Sequence, residues 1–218
     1  MDLSAFYFDI LKDRLYTAPA RSTRRRSAQT AICYIAEALV RALAPLMPFT
    51  AEEVWTNLPG LQGREKSVHL AQFLRPDALR KLVPAEYSGR LEKWPRLIEV
   101  RNAVLKSLEV ARQEKFIGGS LEARIRLWAD GDLKILLEEY QKALPTIFIV
   151  SQVELCASPA GDALETEIPG LKITIEKALG HKCERCWNYS EQVGQDSRYP
   201  RVCERCSQAL REIESSSQ

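Results

Sequence analysis

Two Cys-x-x-Cys pairs near the C-terminal end constrain this chain more than any other feature: Cys183 with Cys186 and Cys203 with Cys206, sixteen residues between them. A C-x-x-C turn lets two thiolates grip one ion from a single knuckle, and two knuckles complete a tetrahedron of about 2.3 Å Zn–S arms. The interval falls in the range of four-cysteine zinc sites. With all four positions taken by protein ligands none is left for water or substrate, so the spacing predicts one structural Zn²⁺ and no catalytic metal. The alternatives are a redox dithiol pair or two disulfides, and His181 as a substitute ligand. Cys33 and Cys156 lie on apolar periodic segments and are expected in the core.

The compartment bears on that choice. Residues 1–4 carry neither the basic start nor the apolar stretch of a secretory leader, and runs such as Ile147–Val150 are far too short to cross a bilayer. The expected setting is cytoplasmic and reducing, where paired cysteines bind metal. At 218 residues with 45% hydrophobic and 28% charged content, the chain can build a core without disulfide staples. Some thirty-five residues around the cysteines have little core of their own. A chelator is therefore expected to unfold that tail and leave the helical part intact.

Apolar spacing organises the rest. Leu3 to Tyr16 repeats at helical intervals, and a break at 18–23 leads to a second helix from Ala28 to Leu46, closed by Pro45 and Pro48. Thr50–Glu53 has the form of a capping box before Val54, Trp55 and Leu58. Residues 59–85 read as irregular. A long helix runs through Leu97, Val104, Leu108 and Ala111 and ends before Gly118. Leu121, Ala123, Ile125 and Leu127 then alternate with charged residues as a half-buried strand. Asp130-Gly131 turns into a helix ended by Pro145, Thr146–Leu155 is rich in β-branched residues, and Leu171–Ile175 alternates again. The expected fold is α+β and mostly helical: a partial helical bundle at 1–85, a small α+β unit at 86–178, a zinc-knuckle module at 179–212 and a disordered tail at 213–218.

Net charge is only +2, but five arginines and no acid lie between Arg14 and Arg26. Arg21, Arg24, Arg25 and Arg26 are candidates to hold nucleic-acid phosphates; the other reading makes them solvated, or paired with acids elsewhere. Trp187 directly follows a ligand cysteine. Its indole is either a platform on which a base stacks or the miniature core of the knuckle. With the thiolates and one zinc counted, the module's own charge totals about −1, so shape and stacking outweigh generic phosphate attraction there. Glu109 and Glu114 read as solvated helix faces, and two histidines leave no Ser-His-Asp set.

These residues also carry a resemblance. Asp2–Tyr16, Arg26–Thr30 and Leu46–Trp55 resemble the anticodon-binding helical domain of the isoleucyl-tRNA synthetase family. Ile117–Ala123 is similar to that family's Gly-x-Ser-Leu-Glu-Ala segment, and His181–Trp187 with Val202–Cys206 to its C-terminal zinc module. The resemblance covers nearly the whole chain. It implies tRNA accepting isoleucine as a partner, with the remainder of the synthetase as another. It adds Arg185 to the tRNA-contact candidates. The family's ATP motifs, of the His-Ile-Gly-His and Lys-Met-Ser-Lys-Ser kind, do not occur here, so ATP belongs to a catalytic core outside this sequence and the chain alone is expected to be inactive. The resemblance implies that earlier helices of the bundle would be missing too, so part of an apolar helix face is expected to be exposed near the N-terminus. Two other readings stay open: a free-standing interaction protein scaffolded by the knuckle, and a DNA-binding tail like that of base-excision glycosylases. The second finds no support upstream, and neither DNA nor membrane is an expected partner.

Overall fold

The computed structural model describes residues 3–59, 63–81, 83–159, 161 and 163–215. A π-helical turn at Leu3–Tyr7 runs into α1 (Phe8–Thr17). Then come α2 (Thr23–Leu43), α3 (Pro48–Asn57), a short 3-10 turn at Val68–Leu70 and α4 (Pro76–Arg80). The long α5 (Ser88–Gln113) precedes β1 (Ala123–Ala129), α6 (Gly131–Tyr140), α7 (Leu144–Phe148) and β2 (Gln152–Leu155). The chain continues through β3 (Leu164–Glu165), β4 (Leu171–Lys177), β5 (His181–Lys182), β6 (Tyr189–Ser190) and α8 (Glu204–Ser215).

Contacts divide the chain into two compact units, residues 1–19 with 90–218, and residues 20–89. In the first, a four-stranded sheet has the order β2-β1-β4-β3, with β1 and β2 parallel and the other pairs antiparallel. Leu97, Val100, Val104 and Leu108 recur at three- and four-residue steps along α5 and are fully buried. They share one core with Ile125 and Leu127 of β1, Leu137 of α6, Phe148 of α7 and Ile173 of β4. The alternation expected in β1 is present as strict in-and-out burial. Its outward arginines, Arg124 and Arg126, form an ion-pair lattice with Glu154 of β2 and Glu176 of β4. The parallel β1–β2 pairing requires a crossover, which α6 and α7 supply.

The first helix belongs to this unit for a visible reason. Phe6 sits edge-on to Trp94 of α5 with ring centroids 6.3 Å apart. The Arg101 guanidinium lies 4.6 Å over the Phe6 ring while its Nε donates to the Ile147 carbonyl. Burial lowers the pKa of Arg101, and the charge of Asp9 opposes that shift.

In the 20–89 unit, Trp55 of α3 is 1% exposed and its Nε1 donates to the Glu65 carbonyl at 2.9 Å. Guanidiniums of Arg41 and Arg64 lie 5.1 and 4.6 Å from its ring. Glu37 pairs with Arg41 one turn along α2, both nearly buried. Yet α2 buries only Ala28, Glu37 and Val40 over 21 residues. Leu39, Leu43, Leu46 and Phe49 are exposed.

Several local expectations are corrected. Pro145 does not end α6, which stops at Tyr140; it opens α7, where a proline's missing N–H costs nothing. Burial of Leu144, Ile147 and Phe148 makes 144–148 helical despite its β-branched content, and Ile149 in the left-handed region (φ 58°) ends it. Thr50 is not a cap, because α3 starts at Pro48; Glu52 instead accepts from Ser67 Oγ and the Val68 amide. The tail expected to be disordered from 213 is helical to Ser215, with 216–218 outside the described residues. The stretch 59–85 contains α4 and the turn at 68–70, and Gly60 lies outside the described residues. Cys33 and Cys156 are half-buried and stand outside the cores.

Candidate metal centre and nucleic-acid interface

The first knuckle hangs from a two-stranded hairpin in which His181 pairs with Ser190 and Lys182 with Tyr189. Gly180 leads into it at φ 83°, and a Cβ there would lie 2.3 Å from the Ser190 backbone. Only glycine meets both demands. The turn closes by two backbone hydrogen bonds, the Trp187 N–H donating to the Cys183 carbonyl and the Cys183 N–H to the Asn188 carbonyl, each 2.9 Å. Trp187 sits in the left-handed region with φ 64°.

The second knuckle is the start of a helix. Ser207 N–H donates to the Cys203 carbonyl at 2.9 Å, and Cys206 lies in the first turn of α8. The positive end of the helix dipole therefore faces the sulfurs and favours thiolate. The Cys203 amide also donates to Cys183 Sγ at 3.3 Å.

These elements bring the four predicted sulfurs within 4.8 Å of one another. Cys186 Sγ and Cys203 Sγ are 3.7 Å apart, against about 3.8 Å for an edge of a tetrahedron with 2.3 Å arms. Cys183, Cys203 and Cys206 are buried, and Cys186 is half-buried. Hydrogen bonds from Cys203, Cys206 and Asn188 push the Cys186 thiol down. The same contacts hold Cys206 up and, with Cys186 acting first, Cys203 as well. Four adjacent sulfurs cannot all ionise without a cation, and a divalent ion at their centre removes that conflict. The donor set, burial and spacing fit one Zn²⁺. All six cysteines are free of disulfides. His181 is exposed, pairs in the hairpin and is no member of the sulfur group.

Of the nucleic-acid candidates, Trp187 is 61% exposed, with Lys182 Nζ 5.9 Å from its ring. The indole therefore projects from the knuckle rather than filling it. Arg185 turns inward: its guanidinium donates to the Thr17 carbonyl and lies 3.7 Å from Cys206 Sγ. Arg21 is exposed ahead of α2. Arg24, Arg25 and Arg26 occupy the first turn of that helix, not the break before it, and Ser22 caps the turn by accepting from the Arg25 amide.

Sequence reasoning missed the residues that fasten the knuckle. Arg205 forks onto both carboxylate oxygens of Asp13. The Tyr189 amide donates to Ser151 Oγ at 2.7 Å, and Gln152 exchanges two hydrogen bonds with the Leu179 backbone. Asp196 accepts from Ser207 and Arg211 and so ties the loop to α8; the Ser207 hydroxyl, then the Arg198 amide and Arg211, hold its carboxyl below the usual range. No sequence spacing signals such pairs, because their partners lie on different elements.

Residues 1–127 match the family described as the anticodon-binding domain of tRNA ligase. Residues 180–209 match the zinc finger found in FPG and IleRS. The chain is similar to the isoleucine–tRNA ligase of Syntrophotalea carbinolica, 45% identical over 212 residues that cover 96% of this chain and 22% of that protein. It is also similar to the isoleucine–tRNA ligases of Moorella thermoacetica, 45% identical over 217 residues (98% and 23%), and Geobacter sulfurreducens, 43% over 214 (97% and 22%). The chain thus spans roughly a fifth of the length of the curated relatives it matches. Among the described residues no helix is long and apolar enough to cross a membrane.

Proposed function

The chain belongs to the family of anticodon-binding domains of tRNA ligases, and from that premise we propose that it is the tRNA-binding C-terminal part of an isoleucyl-tRNA synthetase. Its partners are tRNA that accepts isoleucine and the remainder of the synthetase, in the cytoplasm. The ligation itself, with its ATP, belongs to a catalytic part outside these residues. One structural Zn²⁺ held by Cys183, Cys186, Cys203 and Cys206 supplies folding energy to the knuckle and no reactivity.

The observation that carries this reading is the exposed indole of Trp187, fixed one residue after a metal ligand. Anticodon bases are single-stranded and can be splayed onto such a face. Stacking of one base contributes about 1–3 kcal/mol. Arg21, Arg24, Arg25 and Arg26 supply the phosphate contacts. Three arginines share the helical first turn, where the backbone N–H groups at the helix start also favour an anion.

The test is binding of the purified, zinc-loaded chain to isoleucine and valine tRNAs at two salt concentrations, with and without chelator. A zinc-dependent preference for the isoleucine tRNA is the expected result. Equal affinity for both tRNAs, unmoved by chelator, would remove anticodon reading from this chain.

A further inference from the structure

Arg185 hydrogen-bonds the sulfur of one ligand, Cys206, and Arg205 is the residue before that ligand in α8. Both side chains end on α1. Arg185 reaches the Thr17 carbonyl, one of the orphan acceptors at the helix C-terminus, where a cation is favoured. Arg205 grips Asp13, one turn earlier, with two parallel bonds. The guanidinium of Arg185 thus stands between two negative poles, the helix end and a ligand sulfur. We propose that Arg185 and Arg205 form a metal-dependent clasp that holds α1 on the zinc knuckle, so that metal occupancy sets the order of α1 as well as that of the knuckle.

Each half of the clasp depends on the ion for a separate reason. Ligation fixes where Cys206 Sγ stands, and with it the point against which Arg185 is held while it reaches the Thr17 carbonyl. Ligation of Cys203 and Cys206 also fixes the first turn of α8, and with it the direction in which Arg205 leaves the helix. Without the ion that turn is free to fray, and the bidentate geometry on Asp13 is lost. These arginines are then positioning residues, and the effect of chelation extends beyond the tail, to a helix far from it in sequence. The inference rests on the four thiolates holding metal and does not require RNA.

Hydrogen exchange of the full chain, read on peptides within 8–17 and within 181–209, tests it. Chelating the wild-type protein should speed exchange in both regions, by roughly tenfold or more across 8–17, the factor that one charge-assisted hydrogen bond carries. Asp13→Asn, which alters no ligand, should show the faster exchange across 8–17 with zinc still bound, as counted by atomic absorption. A chelated wild type in which only 181–209 responds overturns the clasp, and so does an Asp13→Asn protein as protected as the wild type. A chain that takes up no zinc overturns the metal reading itself, and the clasp with it.

Discussion

Trp187 holds a backbone conformation that suits glycine, with φ 64°. The left-handed region costs an L side chain roughly 1–2 kcal/mol, and a 61% exposed indole recovers little of that through packing. A tryptophan is therefore retained at a cost to the fold, as expected where its face serves a partner. Trp187→Gly should raise the stability of the zinc-loaded chain by about 1 kcal/mol in denaturant titration, yet weaken tRNA binding by about 1–3 kcal/mol. A loss of stability would mean that the indole packs on the knuckle. Gly180 poses the opposite case, since its positive φ coincides with a 2.3 Å approach to Ser190 backbone. Gly180→Ala should open the hairpin at a cost of about 1–3 kcal/mol, visible as weaker zinc retention against a competing chelator. The convergence of the four cysteines was legible because its signal is local spacing. Asp13 was not, because a lone carboxylate in a helix says nothing of a partner 192 residues away.

At the scale of elements, periodicity located α5, α6 and β1, whose buried faces recur at the spacing the sequence shows, and it located α2 as a helix although Leu39 and Leu43 of its apolar pattern are exposed. It failed where burial overrode propensity, as in α7, where the β-branched run around Ile147 became helix beneath the sheet because Leu144, Ile147 and Phe148 all face the core. It failed also for the staple of the 20–89 unit. Arg41 carries a near-buried ion pair with Glu37, a bond to the Gln72 carbonyl and a cation–π contact with Trp55. None of those partners is marked by spacing except Glu37, one turn before. Removing one member of such a pair strands the other, which costs about 3–5 kcal/mol. Glu37→Ala should therefore lose protection throughout α2 and α3 in hydrogen exchange. The sheet core around Ile125 and Leu137 should keep its protection, since it belongs to the other compact unit. Equal loss in both units would show that they unfold as one.

At the scale of the whole molecule, a net charge of +2 conceals an uneven distribution. The knuckle, with its thiolates and zinc counted, is close to neutral, so its grip on RNA should respond little to salt. The proposed role of the arginines at 21–26 predicts the opposite, because each phosphate neutralised would release counterions, with a slope of about −0.7 per contact on single strands and −0.9 on duplex. Replacing Arg24, Arg25 and Arg26 together by glutamine should flatten the dependence of log affinity on log salt by about 2–3. Discrimination between isoleucine and valine tRNAs should survive, since phosphates position and bases specify. Trp187→Ala should do the reverse, keeping the slope and eroding discrimination. Two variants that move separate observables in this way would assign positioning to the start of α2 and reading to the knuckle. An unaltered slope in the triple variant would instead leave the arginines with a role inside the protein, and would place the phosphate contacts on residues that belong to the rest of the synthetase.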